Sequence, residues 1–211
     1  MGKFGRSPGL DAARKKTVLN IAAGEKRYDD EGIWNVDLIE GEGIDQVVDL
    51  NNHPWPWDDN SIDGIHASHI LEHFLDHETF LRECHRILKP GGFLRIVVPH
   101  CTNMSSVGCL GHYRTFSADT LHRYLCSQGR HDCYMFRDIK FELVEQRVNW
   151  VWEEVIKQNS VPNLDDKLRV LIRPLNWIIS KMINAGPRWF ERFWYPLVGG
   201  AAEVVFLGKK L

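Results

Sequence analysis

Small residues, then one aspartate, then a second, then a pair of histidines stand directly after four successive apolar runs of this 211-residue chain. Ala22-Ala23-Gly24-Glu25 follows Thr17-Val18-Leu19-Asn20-Ile21, and side chains this small let a backbone approach a ligand and present amide groups to it. Asp37 follows Ile33-Trp34-Asn35-Val36, where a carboxylate can accept hydrogen bonds from both hydroxyls of a ribose. Asp49 and Leu50 close the run from Gln46, pairing an acceptor for an adenine amino group with an apolar side chain to lie on its ring. Each feature also has an ordinary structural reading: turn punctuation, a solvated loop carboxylate, a helix or turn cap. Their occurrence in order at successive strand ends is what gives them weight.

The fourth run ends in Ser68-His69-Ile70-Leu71-Glu72-His73-Phe74. Imidazole titrates near neutral pH, so His69 or His73 can take a proton from an acceptor, although His73, four residues on, also fits a shared helix face with His69. Pro99-His100-Cys101 and His112-Tyr113-Arg114-Thr115-Phe116 follow the fifth run and overhang the same pocket. His69, His100 and His112 are therefore the candidate catalytic groups, and His73, Tyr113 and Arg114 the candidate acceptor contacts. His100, Cys101, Cys109, His112, His131 and Cys133 include soft ligands for zinc, but their spacings match no standard site, and no metal is expected.

The elements that must position these groups alternate. Strands are expected at 17–21, 33–36, 46–50, 62–67 and 93–98 from their apolar runs. Between the last two, Phe80, Cys84, Ile87 and Leu88 share one helical face, Asp76 is a plausible N-cap, and Lys89-Pro90-Gly91-Gly92 should end the helix. Strand, helix, strand implies a parallel crossover. A later helix is opened by Ser117 and closed by Gly129, with Leu121, Tyr124 and Leu125 buried, and strands at 141–148 and 202–207 complete the sheet. The fold class is thus α/β, a doubly wound, mostly parallel sheet of Rossmann-like type with a helical insertion before the last strand. Residues 1–16 read as a flexible basic leader and 17–211 as a single domain. Within it, Pro162, Pro174, Pro187 and Pro196 should cut 152–198 into short helices and turns that act as a lid or an oligomer interface.

Lysine and arginine total 26 against 28 acidic residues, a balance without the electrostatic footprint of a polyanion binder, so nucleic acid is not the expected partner. Five cysteines with no Cys-x-x-Cys pair and no secretory leader point to a reducing cytoplasm, and no apolar run approaches the roughly 18 residues of a membrane span.

Taken together, Val18 to Pro99 resembles the class I S-adenosylmethionine-dependent methyltransferases, especially small bacterial and viral members. Four pieces carry the resemblance: Leu19-Asn20-Ile21-Ala22-Ala23-Gly24-Glu25-Lys26; Trp34-Asn35-Val36-Asp37; Trp55-Pro56-Trp57-Asp58-Asp59-Asn60-Ser61-Ile62-Asp63 running into His69-Ile70-Leu71-Glu72-His73-Phe74; and Leu88-Lys89-Pro90-Gly91-Gly92. It implies seven strands with the last antiparallel, S-adenosylmethionine as cofactor, and cofactor contacts among Asn20, Ala22, Gly24, Glu25, Asp37, Leu38, Asp49, Leu50, Ser68 and His69. The implied activity is direct transfer, in which an acceptor atom attacks the sulfonium methyl in line and the protein holds both reactants aligned. A small-molecule acceptor is expected, and the lack of an Asn-Pro-Pro-Tyr sequence after the fourth strand argues against methylation of DNA base amino groups. The family usually has an acid and a first glycine in its leading loop, where this chain has Asn20 and Ala22. That departure keeps open a non-catalytic cofactor-binding protein acting through a partner. A nicotinamide-dependent oxidoreductase fits less well, since Ala22-Ala23-Gly24-Glu25 is a poor Gly-x-Gly-x-x-Gly.

Overall fold

Apolar and β-branched runs form strands in the computed structural model, which describes residues 17–126, 136, 138–150, 166–187 and 201–211. They are β1 (Val18–Ile21), β2 (Ile33–Asp37), β3 (Gln46–Val47), β4 (Ile62–Ser68), β5 (Leu88–Pro99), β6 (Phe141–Trp150) and β7 (Ala201–Lys210). They join one seven-stranded sheet in the order β3-β2-β1-β4-β5-β7-β6. The first five run parallel to one another, and β7 runs antiparallel between β5 and β6. The expected α/β sheet is therefore the one formed. Its order reverses at β1, which lies between β2 and β4, so the carboxyl ends of β1 and β4 flank the crevice where such sheets bind ligands.

Helix α1 (His77–Ile87) crosses between β4 and β5. Asp76 caps it as expected, its carboxylate accepting from Thr79 N at 2.9 Å and from Thr79 Oγ1 at 2.6 Å. Phe80, Cys84 and Ile87 are fully buried and join Leu19, Ile65 and Ile96 of the strands in one core. Helices α2 (Met104–Val107) and α3 (Ala118–Leu125) follow β5, and α3 carries a capping box between Ser117 and Thr120. The last helix, α4, spans Asp166–Ala185. Among the described residues no helix is long and apolar enough to cross a membrane.

Four expectations need correction. The third strand stops at Val47, because Asp49 turns the chain by accepting from Asn51 N and Asn52 Nδ2, each at 3.0 Å. Helix α1 ends at Ile87, and Lys89-Pro90-Gly91-Gly92 enters β5 through an irregularity after the Ile62–Leu88 pair. The residue before a proline is driven out of helical geometry, Leu88 is already extended, and Gly91 at φ 79° takes the bend. On α3, Leu121 and Leu125 are buried four residues apart, whereas Tyr124 lies on the edge of that stripe, exposed beside Phe136. Within 152–198, Pro174 does not cut the helix: α4 runs through it for 20 residues. Its far end is held by Asn184, which accepts from Val148 N at 2.8 Å and donates to Val148 O at 3.1 Å, while Ile183 is buried. Such tertiary contacts offset the one backbone hydrogen bond that an internal proline removes. Residues 152–165 and 188–198, Gly129 and the leader lie outside the described residues.

The chain from Asp49 to Asn60 is strapped onto α1. Glu83 Oε2 accepts from Trp55 N at 2.6 Å, and Arg86 donates to Trp55 O at 3.1 Å and Trp57 O at 2.9 Å. Trp55 Nε1 in turn donates to Leu50 O at 3.0 Å, so this strap holds the turn that carries Asp49. Glu83→Ala would leave the buried Trp55 amide without its acceptor. We expect a loss on the order of 2 kcal/mol, read as a lower urea midpoint at unchanged slope.

Candidate functional site

The site is built in two halves, one on each side of the crevice. On the β1 side, Asn20 and Asn35 are in-register partners on adjacent strands, both buried, and their amides meet at 2.9 Å. Asn20 Nδ2 also donates to Lys26 O at 2.8 Å, while Asn35 accepts from Tyr28 N at 3.1 Å and donates to Tyr28 O at 2.9 Å. Two asparagines thus satisfy the returning backbone of the loop after β1. That loop turns on two left-handed residues, Ala22 and Gly24, each at φ 53°. The conformation costs alanine energy and glycine little, and a Cβ placed on Gly24 would meet nothing within 4 Å, so the backbone there faces open space. Gly24 N donates to Asp37 Oδ2 at 2.8 Å, which ties the loop to the carboxyl end of β2.

Asp37 Oδ1 accepts from Ile39 N at 3.2 Å, leaving further lone pairs on both oxygens. Leu38 and Ile39 beside it are exposed at 59% and 73%, an apolar surface next to an acid. Asp49 caps its own turn, and the donors from Asn51 hold its carboxyl below the usual range. Leu50 is buried and packs with the core. Glu25 is exposed, and Ser68 ends β4 half-buried.

On the β4 side stands His69, left-handed at φ 55° with its amide bonded to Val97 O. Its Nε2 lies 2.6 Å from Glu203 Oε1 and its Nδ1 lies 3.5 Å from Glu72 Oε1. Hydrogen bonding to Glu203, with the Glu72 carboxylate close by, overcomes burial and raises the His69 pKa to about 9. Both ring nitrogens are engaged, which favours an orienting role over that of a free base. Burial pushes the Glu203 carboxyl up, and the hydrogen bonds from His69 and from Asn149 at 2.9 Å outweigh it and hold it below the ordinary value. Three residues earlier on the same strand, His66 is pushed the other way, to about 4, by burial and by Arg95.

The other expected groups separate. His100 is 1% exposed, its Nδ1 bonded to Thr102 Oγ1 at 2.9 Å, inside the protein rather than on a pocket wall. His112 meets Ser106 Oγ through Nδ1 at 2.9 Å and packs edge-on against His73, ring centroids 4.7 Å apart. His73 Nδ1 donates to Gly111 O at 2.9 Å. Tyr113 and Arg114 are exposed, and Tyr113 N holds Glu72 O at 2.8 Å. Alongside lies a cavity of about 390 Å³, its wall including Leu71, Leu81, Phe116, Leu121 and Arg114. Glu72, Glu203, Asn149 and Ser106 were not among the expected residues. The one available signal was a lone acid inside the apolar run Ala202-Glu203-Val204-Val205.

Residues 19–96 match the model of a methyltransferase domain. This is the class I methyltransferase fold. A demethylmenaquinone methyltransferase of Geobacillus stearothermophilus is 33% identical over 92 residues, 44% of this chain and 34% of that protein, so the chain spans about a third of that relative's length. A solved S-adenosylmethionine-dependent methyltransferase from Archaeoglobus fulgidus superposes with a TM-score of 0.55 at 18% identity, covering 92% of this chain and 86% of the other. The [4+2]-cyclase SpnF superposes with a TM-score of 0.53 at 14% identity, covering 92% and 75%. The methyltransferase fold is therefore shared by proteins of different named chemistry.

The geometry also says what the unusual Asn20 does within the methyltransferase fold: it donates to two acceptors, Lys26 O and Asn35 Oδ1. Asn20→Asp, which restores an acid to the leading loop, would set a carboxylate against both. We expect it to lower stability by roughly 2 kcal/mol and to weaken ligand binding rather than strengthen it, checked by thermal unfolding and calorimetry.

Proposed function

We propose that this chain binds S-adenosylmethionine across the carboxyl ends of β1 and β2 and transfers its methyl group to a small-molecule acceptor. The observation that carries the reading is the Gly24–Asp37 link: a left-handed loop with open space at Gly24, tied to a carboxylate that keeps lone pairs for ribose hydroxyls. The residues fit that cofactor. Asp37 would take the ribose, the backbone around Gly24 would pass close to the rest of the ligand, and the exposed Leu38 would cover a face of the adenine. Asp49 keeps acceptor capacity for an adenine amino group beyond its own turn. The cofactor supplies a methyl group activated on a sulfonium, and the chain supplies position. His69, fixed between two carboxylates, holds the β4 edge of the crevice in one orientation.

The acceptor reading rests on the cavity beside the Leu71–His73 turn. About 390 Å³ falls in the range of small-ligand pockets, and its wall is mostly apolar, with Arg114, Asp76 and Glu78 as charged contacts. A largely apolar molecule with a polar group suits that lining. A second reading, cofactor binding without catalysis, draws on Ala22 and Asn20 in the leading loop.

Calorimetric titration of the full chain with S-adenosylmethionine, S-adenosylhomocysteine and NAD tests the cofactor. The expected result is micromolar binding of the first two, no binding of NAD, and at least tenfold weaker binding in Asp37→Ala. Equal binding in that variant, or NAD binding alone, would overturn the reading. For the acceptor, Arg114→Ala should raise KM severalfold at little change in kcat; an unchanged KM would move the acceptor away from this cavity.

A further inference from the structure

Glu72 is 1% exposed, and neither carboxylate oxygen accepts a hydrogen bond from any described residue. His69 Nδ1 reaches Glu72 Oε1 only as a long ion pair of 3.5 Å, from a ring whose Nε2 is held at 2.6 Å by Glu203. Even a fully charged His69 supplies one positive charge for two buried carboxylates. A carboxylate so placed costs several kcal/mol unless a cation meets it.

Two histidines stand where that cation would be. One ligand atom from each of Glu72, His73 and His112 lies within 4.8 Å of the other two. Both rings are already oriented through Nδ1, His73 by Gly111 O and His112 by Ser106 Oγ. This is the outer support that metal-binding histidines use: donating to Gly111 O leaves Nε2 of His73 as the lone pair, and the tautomer of His112 that donates to Ser106 Oγ does the same. We propose that Glu72, His73 and His112 form a binding site for a divalent transition-metal ion of the zinc class.

Two imidazoles and a carboxylate are a known ligand set for zinc that leaves one position open to water or an acceptor oxygen. Bonds of about 2 Å require the three groups to draw together by on the order of 1 Å. His73 is exposed and His112 half-buried, so an ion reaches the site from solvent. The two histidines become ligands on this view, in place of the catalytic and acceptor-contact roles expected from sequence. The inference stands apart from methyl transfer, since it rests on different atoms and is read without the cofactor.

The test is titration of the chelator-treated full chain with zinc chloride, followed by calorimetry and by metal analysis after dialysis. One ion per chain is expected, bound at micromolar affinity or tighter. Glu72→Gln and His112→Ala should each weaken it at least tenfold, and Ser106→Ala should weaken it between tenfold and a hundredfold. His85→Gln, at the far end of α1, should bind like the parent. Cobalt(II) gives a second readout, its visible bands present in the parent and lost in His112→Ala. Absence of saturable binding at one ion per chain, or equal affinity in the parent and in His112→Ala, would overturn the proposal. His112 is half-exposed, so that variant decides the matter even if Glu72→Gln does not fold.

Discussion

A buried carboxylate must find a cation or several donors, and Glu203 meets that demand by reaching from β7 to His69 at the end of β4. The contact spans 134 positions of sequence. It fixes the left-handed backbone of His69, and with it the direction in which the chain leaves β4 toward the Leu71–His73 turn. The antiparallel register that sets Glu203 opposite Pro99 is what brings the carboxylate to that height on the sheet. Strand β7 therefore does more than join β6 to the sheet: it anchors one wall of the crevice.

The opposite wall is built by short-range means. Asn20 and Asn35 pair across adjacent strands and satisfy the loop that returns from β1, and Gly24 ties that loop to Asp37. One wall is held by neutral amides and the other by charge. The crevice between them follows from the strand order, since the sheet reverses direction between β1 and β4. A loop with open space and a free acceptor on one side, and an oriented imidazole on the other, suit a ligand with a nucleoside at one end and a charged group at the other.

Local physics was legible in the sequence. The Asp76 cap, the Ser117 cap, the strand runs other than the shortened third and the small-residue loop each depend on neighbours a few residues away, and each appears where its residues imply. Tyr124 lies exposed although its stripe implies burial, because burial depends on what packs against an element, which a single stripe of side chains does not reveal. Pro174 was read as a break, and packing of Asn184 and Ile183 near the helix end overrode it. Glu203 carries no local signature for a deeper reason: a buried acid is recognised by its partner, and its partner is a histidine 134 positions away.

The most direct measurement is a crystal structure of the full chain grown with S-adenosylhomocysteine. The expected result is a ligand at the carboxyl ends of β1 and β2, its ribose hydroxyls on Asp37 and its chain passing Gly24, with His69 still on Glu203. A ligand bound elsewhere, or one that reaches the crevice without touching Asp37, would contradict the site described for this fold.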